Sequence, residues 1–496
     1  MRQGVTMTES LLAHTALGDL QGISNAGIVQ FRAVPYAAPP VGDLRFAAPQ
    51  AVSSWQGVRD ATRHGPISPQ LPSRLRNVTG DFVSPQSEDC LTLTISTPAI
   101  DKQARPVLVW LHGGAYTSGA GSLDWYDGTE LARAGNMVVV GVNYRTGASG
   151  FLYYPEISNG QSGILDMIAA LHWVQEHISA FGGDPKQVCV MGQSAGAHAI
   201  MYILALQETR HLFQRAILQS APEGLAPLAE ADARVIGEQW LDILQIERGQ
   251  PAEIAARLRA EKPERILEAT AQLARMNGRL GQFTPPFMPV FDALSTPEKF
   301  IAAAAAGARA AGVEVIIGTT REEAHAFLGD PTGQPPDPAL IATRFSELGG
   351  NAETLEQYSR RRPGARMIEL LSDLLTERVF RRPSQQLAEA LAQSGLNTWV
   401  YQFDWAPAGS PFKACHCLEL PFVFGTPGAW SNAPMLHGTD PAIFTDLSKA
   451  LQSAWIGFIR SGDPSTYIPW PRYQSASKSI LSFAPVIEAH GIVNSL

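Results

Sequence analysis

Five residues, Gly192-Gln193-Ser194-Ala195-Gly196, constrain this chain more than any others, because they separate the apolar run Val188–Met191 from a segment of helical composition. A strand, a sharp turn and a helix would put Ser194 at the tip of the turn. Glycines on both sides lack a Cβ, so the chain can reverse tightly and hold the serine in a strained, projecting position where its hydroxyl can act as a nucleophile. Alone, the pentapeptide also suits an ordinary Gly-rich turn beside a strand. Its surroundings have to decide.

Short β-type runs recur at Val107–Leu111, Met137–Val142, Val188–Met191, Ala216–Gln219, Val313–Ile317 and Trp399–Phe403, separated by helical patterns. They predict buried, largely parallel strands of an α/β fold. Between two of them, Gly163–Ser179 spaces Ile164, Met167, Ile168, Leu171, Val174 and Ile178 as one helix face, ending before a loop at Phe181–Pro185. The right-handed strand–helix–strand crossover is the expected unit. Two stretches, about 223–312 and about 330–396, are rich in Ala, Leu, Glu and Arg at helical spacing and predict helical insertions roofing one edge of the sheet. Helix propensity accounts for the Ala-rich Ala302–Ala311. No linker rich in Gly, Ser or charge divides the chain, so residues 1–496 are expected to form a single elaborated α/β domain.

Charge and cysteine usage exclude several classes. Thirty-eight Lys and Arg against 46 Asp and Glu leave a net charge of −8, which gives no reason to expect a nucleic acid or an anionic membrane as partner. The basic clusters Arg360–Arg362 and Arg378–Arg382 read as solvated helix ends. No stretch reaches the roughly 18 apolar residues of a membrane span. The first residues lack the apolar core of a secretory signal, and Met7 is an alternative start. Four cysteines are too few for a disulfide framework, which fits a reducing cytoplasm. Cys415 and Cys417 flank His416, but no second ligand cluster with zinc spacing accompanies them, so neither a metal nor another cofactor is expected.

A second motif, His112-Gly113-Gly114-Ala115-Tyr116, directly follows the run Val107–Leu111. Its glycine pair would let backbone N–H groups approach a substrate closely, as an oxyanion hole requires. Together the two motifs resemble the type B carboxylesterase family of the α/β-hydrolase fold. The likeness begins with Phe31–Pro40 and Arg45-Phe46. It continues through Glu88-Asp89-Cys90-Leu91, Asn143-Tyr144-Arg145, Gly150-Phe151-Leu152 and Phe181–Pro185. It closes with Glu419-Leu420-Pro421-Phe422 and Trp455–Phe458, so it spans about Thr15 to Tyr473.

The resemblance implies a mechanism with named residues. The family orders its triad as Ser, then an acid, then His, and Ser194, Glu323 and His416 stand in that order. Glu322 is a rival for the acid, because Ala324 follows Glu323 where the family usually has Gly. His325 and His437 are weaker candidates for the base. An imidazole titrates near working pH, so His416 would take the Ser194 proton during attack on an ester carbonyl and return a proton to the leaving alcohol. Glu323 would orient the ring, and the amides of Gly114, Ala115 and Ala195 would hold the oxyanion. By the same resemblance Arg45 pairs with Glu88, Arg145 pairs with Asp166, and Glu419 is structural.

Two departures stand out. Gln193 replaces the family's usual Glu before the nucleophile, which removes a negative charge beside the site. Ser68 lies where many secreted members carry a cysteine, which leaves Cys90 without a partner. The expected substrate is a small-molecule carboxylic ester. Carbamate or activated-amide hydrolysis by the same residues, or a non-catalytic binding module, are the alternatives. Tyr116, Phe283, Phe287 and Phe327 are candidate pocket walls.

Overall fold

β-Branched and aromatic side chains fit a pleated surface buried on both faces, and the six apolar runs form its centre. The computed structural model describes residues 11–328 and 336–491. Met7 and the first residues of the insertion expected from about 330 lie outside them. Among the described residues the largest sheet has eleven strands. They are β1 (Ile23–Asn25), β2 (Ile28–Pro35), β3 (Thr92–Thr97), β4 (Arg105–Leu111), β5 (Val138–Val142), β6 (Gly183–Gln193), β7 (Arg215–Gln219), β8 (Glu314–Thr320), β9 (Thr398–Phe403), β10 (Ser479–Phe483) and β11 (Glu488–Gly491). Their spatial order is β11-β10-β9-β8-β7-β6-β4-β5-β3-β2-β1.

Strands β4 to β10 pair in parallel, so their C-terminal ends emerge along one edge. That edge is where an open α/β sheet offers its ligand crevice. The flanking β1, β2 and β3, and β11 at the far side, pair antiparallel. These outer strands alternate polar and apolar residues, as in Thr92-Leu93-Thr94-Ile95-Ser96-Thr97, and a reading by apolar runs passes over them. The loop expected at Phe181–Pro185 is in fact a 3₁₀ turn, Ile178–Phe181, leading straight into β6. Pairing with β4 breaks between Gly183 and Val188, around Pro185, which has no N–H to donate.

Helix α1 (Ser162–His177) buries Ile164, Met167, Ile168, Leu171 and Val174 as its spacing requires. Helix α2 (Ala195–Ala205) is different: every residue from Ala195 to Leu204 is buried, as befits a helix that is apolar all round. It is pinned from behind by α3 (Pro297–Ala311). A Cβ added at Gly307 of α3 would lie 1.7 Å from the Leu204 carbonyl oxygen, so the two backbones touch only because a glycine stands there.

The insertions are helical, with Glu230–Leu244, Pro251–Ala260, Pro263–Asn277 and α3 in the first, and Pro338–Glu347, Ala352–Arg361, Met367–Leu375 and Arg382–Gln393 in the second. Arg360 and Arg361 are exposed as expected. The second basic cluster is solvated only in part: Arg378 and Arg382 are exposed, and Arg381 is not. A wide turn at Thr376–Arg381 carries Arg381 inward, where it is buried and donates to Glu377 at 2.5 Å.

Replacing a mid-helix glycine by alanine ordinarily stabilises by about 1 kcal/mol. Gly307→Ala should instead destabilise by about 1–3 kcal/mol, because the new methyl meets backbone that cannot yield. Chemical denaturation of the two proteins under identical conditions reads the sign directly.

Candidate active site

Strand β6 delivers Ser194 into a backbone conformation that L-residues avoid, with φ 54° and ψ −122°. Two hydrogen bonds lock it. The Ser194 N–H donates to the Gln219 carbonyl at 2.8 Å, and its carbonyl accepts from the His198 N–H at 2.9 Å. Neither flanking glycine has a positive φ; both are needed for close approach. A Cβ at Gly192 would sit 2.6 Å from the Gly196 carbonyl carbon, and one at Gly196 would sit 2.0 Å from the Leu111 carbonyl oxygen.

His416 and Glu323 arrive on loops following β9 and β8, and the two loops are stitched together. The Glu322 N–H donates to the Ala414 carbonyl at 2.9 Å, and the Ala414 N–H returns a bond to the Glu322 carboxylate at 3.1 Å. That leaves Glu322 committed to structure, also between Arg321 and Arg362. The Glu323 carboxylate faces the other way. Its Oε2 lies 2.5 Å from His416 Nδ1 and its Oε1 accepts from the Thr320 N–H at 2.7 Å, with both side chains buried. Ala324 adopts no left-handed backbone, and its N–H donates to Thr376 Oγ1 at 3.1 Å, so the site has no need of glycine there. His325 is pushed down to about 4 by burial, and His437 is exposed; neither reaches the cavity that holds Ser194.

One link of the expected relay is not made. With Nδ1–H directed at Glu323, the His416 Nε2 lone pair faces Gln193 Nε2 at 3.1 Å rather than the Ser194 hydroxyl. The same Gln193 amide donates to Cys417 Sγ at 3.3 Å, so both its hydrogens are used. Gln193 therefore does more than remove a charge; it occupies the lone pair that would receive a proton.

Gly114, at φ 114°, Ala115, at φ 53°, and Tyr116, at φ 59°, curl the loop after β4 over the serine. Among the described residues the Gly114 and Ala115 N–H groups make no intramolecular hydrogen bond, and Ala195 opens α2, where a helix leaves its first N–H groups unpaired. All three residues line the cavity containing Ser194 and His416. The sequence reading overlooked His198. Its Nε2 lies 3.1 Å from the Leu225 carbonyl and its Nδ1 2.7 Å from the Tyr116 hydroxyl, and burial pushes its pKa down to about 4. The neutral ring thus donates to Leu225 and accepts from Tyr116, bracing the curled loop against the helix behind the serine. The i, i+4 spacing from Ser194 was the available signal.

Aromatic side chains dominate the cavity wall, among them Trp125, Phe283, Phe327, Phe380 and Trp430. Phe287 is not one of them; it packs edge-on against Trp240, with ring centroids 5.5 Å apart. The family-type ion pairs form as expected. Arg45 reaches Glu88 at 2.7 Å, and Arg145 grips Asp166 at 2.8 and 2.7 Å. All four cysteines are free and buried, with Cys90 beside the Ser68 hydroxyl and pushed up to about 12 by burial. Cys415 and Cys417 are likewise held high by burial.

Fold and site together define a serine hydrolase of the α/β-hydrolase class, and comparison with known proteins narrows it. The model of the carboxylesterase family matches residues 9–490. The para-nitrobenzyl esterase of Bacillus subtilis is 38% identical over 481 residues, 96% of this chain and 95% of that protein. The phenmedipham hydrolase of Pseudarthrobacter oxydans is 33% identical over 479 residues, 95% of this chain and 94% of that protein. A solved para-nitrobenzyl esterase structure superposes with a TM-score of 0.84 at 34% identity, covering 98% of both chains. The chain belongs to the carboxylesterase family and is a carboxylic-ester hydrolase.

Behind the site, Glu419 is fully buried; Gln219 Nε2 donates to its Oε1 at 3.3 Å, and its Oε2 has no partner among the described residues. Desolvation, and then the charge of Glu323, push its pKa up to about 8. The folded protein thus holds a proton that the unfolded chain releases near pH 4.5, so this group's contribution makes stability fall as pH rises from about 4.5 to 8. Glu419→Gln should match the parent near pH 4 and exceed it at pH 8 by at least about 1 kcal/mol, read by denaturant unfolding at the two pH values.

Proposed function

We propose that Ser194 is the nucleophile, His416 its general base and acid, and Glu323 the group that orients the imidazole, with the amides of Gly114, Ala115 and Ala195 as oxyanion donors. The observation that carries this reading is the buried 2.5 Å contact of Glu323 with His416 Nδ1, beside a serine held in a strained turn within the same cavity. Attack requires the Gln193 amide to give up the His416 Nε2 lone pair to the Ser194 hydroxyl. The alkoxide then adds to the ester carbonyl, and the developing negative charge falls among backbone N–H groups already in place. Collapse expels the alcohol with a proton from His416, and water, activated by the same ring, releases the acid.

The roof over this cavity comes from the helical insertions, in keeping with the whole chain acting as one elaborated α/β-hydrolase domain. A cytoplasmic enzyme is supported by four free cysteines, and no helix among the described residues is long and apolar enough to cross a membrane. The substrate is a small-molecule ester that buries its acyl or alcohol part among aromatic side chains.

A fluorophosphonate probe should label Ser194, located by peptide mass spectrometry, and Ser194→Ala should lose about 10⁴-fold or more in turnover of para-nitrophenyl acetate. An adduct on another residue, or undiminished turnover, defeats the assignment. Aryl carbamates run alongside aryl esters test whether the same serine serves both. Tyr116→Phe removes the hydroxyl that ties the 114–116 loop to His198; it should cut kcat about tenfold with KM within about twofold, because the loop carries the Gly114 and Ala115 amides, and oxyanion donors act on the transition state and not on bound substrate. Steady-state kinetics on one aryl ester separates the two constants.

A further inference from the structure

The wall of the cavity around Ser194 is mostly apolar, with polar side chains such as Ser73, Thr79, Ser118 and Gln193 set into it. Arg74 is the one permanently charged side chain lining it among the described residues, and no carboxylate lines it. Its guanidinium is tethered by two carbonyls: Nη1 donates to Phe283 at 3.1 Å and Nη2 to Gln282 at 2.8 Å. A guanidinium has five N–H donors, so most of the fork stays available to a ligand.

Arg74 also borders a second, larger cavity, and Pro285 is the other residue the two share. The outer wall adds Arg275, Arg279 and Arg344 against the carboxylates Glu88 and Asp232. Of these, Glu88 is taken up by Arg45, and Arg344 by Glu347. Among the residues lining this second cavity, that leaves Arg74, Arg275 and Arg279 against Asp232, an excess of positive charge although the chain as a whole carries −8.

We propose that this esterase selects esters bearing an anionic substituent, a carboxylate in the first instance, and disfavours cationic ones, with Arg74 at the junction of the two chambers as the residue that sets the preference. The proposal rests on the inner cavity being the active site. A planar fork with free donors binds a carboxylate in two-point fashion, whereas a quaternary ammonium group beside it would meet like charge.

Three esters with one leaving group test it: mono-4-nitrophenyl adipate, 4-nitrophenyl hexanoate and 4-nitrophenyl 6-(trimethylammonio)hexanoate, each corrected for its spontaneous rate. The parent should show the highest kcat/KM on the adipate and the lowest on the cationic ester. Arg74→Gln should lower the adipate-to-hexanoate ratio about tenfold, mainly through KM, with hexanoate itself within about threefold of the parent. Arg74→Lys should restore most of the ratio, since it returns the charge, and added salt should compress it. An unchanged ratio in Arg74→Gln overturns the proposal. So does an equal loss on all three esters, which would make Arg74 merely a brace for the 282–283 loop. Failure of the active-site reading is separately visible, because Ser194→Ala would then still hydrolyse the hexanoate.

Discussion

Everything at this site depends on how closely the serine turn is wedged between neighbouring backbones. The carbonyl of Leu111 at the end of β4 and the chain at Gly192 both press on Gly196, and Gln219 at the end of β7 grips the Ser194 amide. A left-handed serine is unfavourable by itself, at about 1–3 kcal/mol, and survives because contacts on both sides leave it no alternative. The same wedge sets α2 in place, and α2 in turn carries Ala195 and His198. One tight packing event therefore fixes a hydroxyl, an amide and the brace of the loop opposite.

Carboxylates are unusually concentrated just behind that wedge. Glu322, Glu323, Glu419 and Glu223 are all buried, and each is handled differently. Glu322 is spent on backbone and two arginines, and Glu323 on His416 and the Thr320 amide. Glu223 is held by Ser384, and burial raises its pKa well above the usual carboxylate range. Glu419 is driven up in the same way, so that Glu323 is not crowded by a second full charge. Gln193 is neutral, and extends that economy of negative charge to the Nε2 side of the imidazole.

Much of this was legible in the chain. Six central strands and helix α1 follow from apolar runs and helical spacing, while the candidates Ser194, His416 and Glu323, the last with Glu322 as a rival, came from motif order and the family resemblance. The strands β1 to β3, β10 and β11 were not, because polar residues interrupt their runs. Arg381 was misread as solvated, since nothing in Arg378–Arg382 reveals that a wide turn carries one arginine inward. Phe287 and Phe327 look alike in sequence, yet one packs on Trp240 and the other lines the cavity.

Local sequence settles the nucleophile turn, since only glycines permit the approach at 192 and 196. Tertiary structure alone decided that Gln193 holds the lone pair of His416, that His198 braces Tyr116, and that Arg74 lines the same cavity as the serine. Each of these is a matter of where a side chain points once loops from distant strands have been stitched together. Direction of that kind is set by packing across hundreds of residues, and local spacing carries no trace of it.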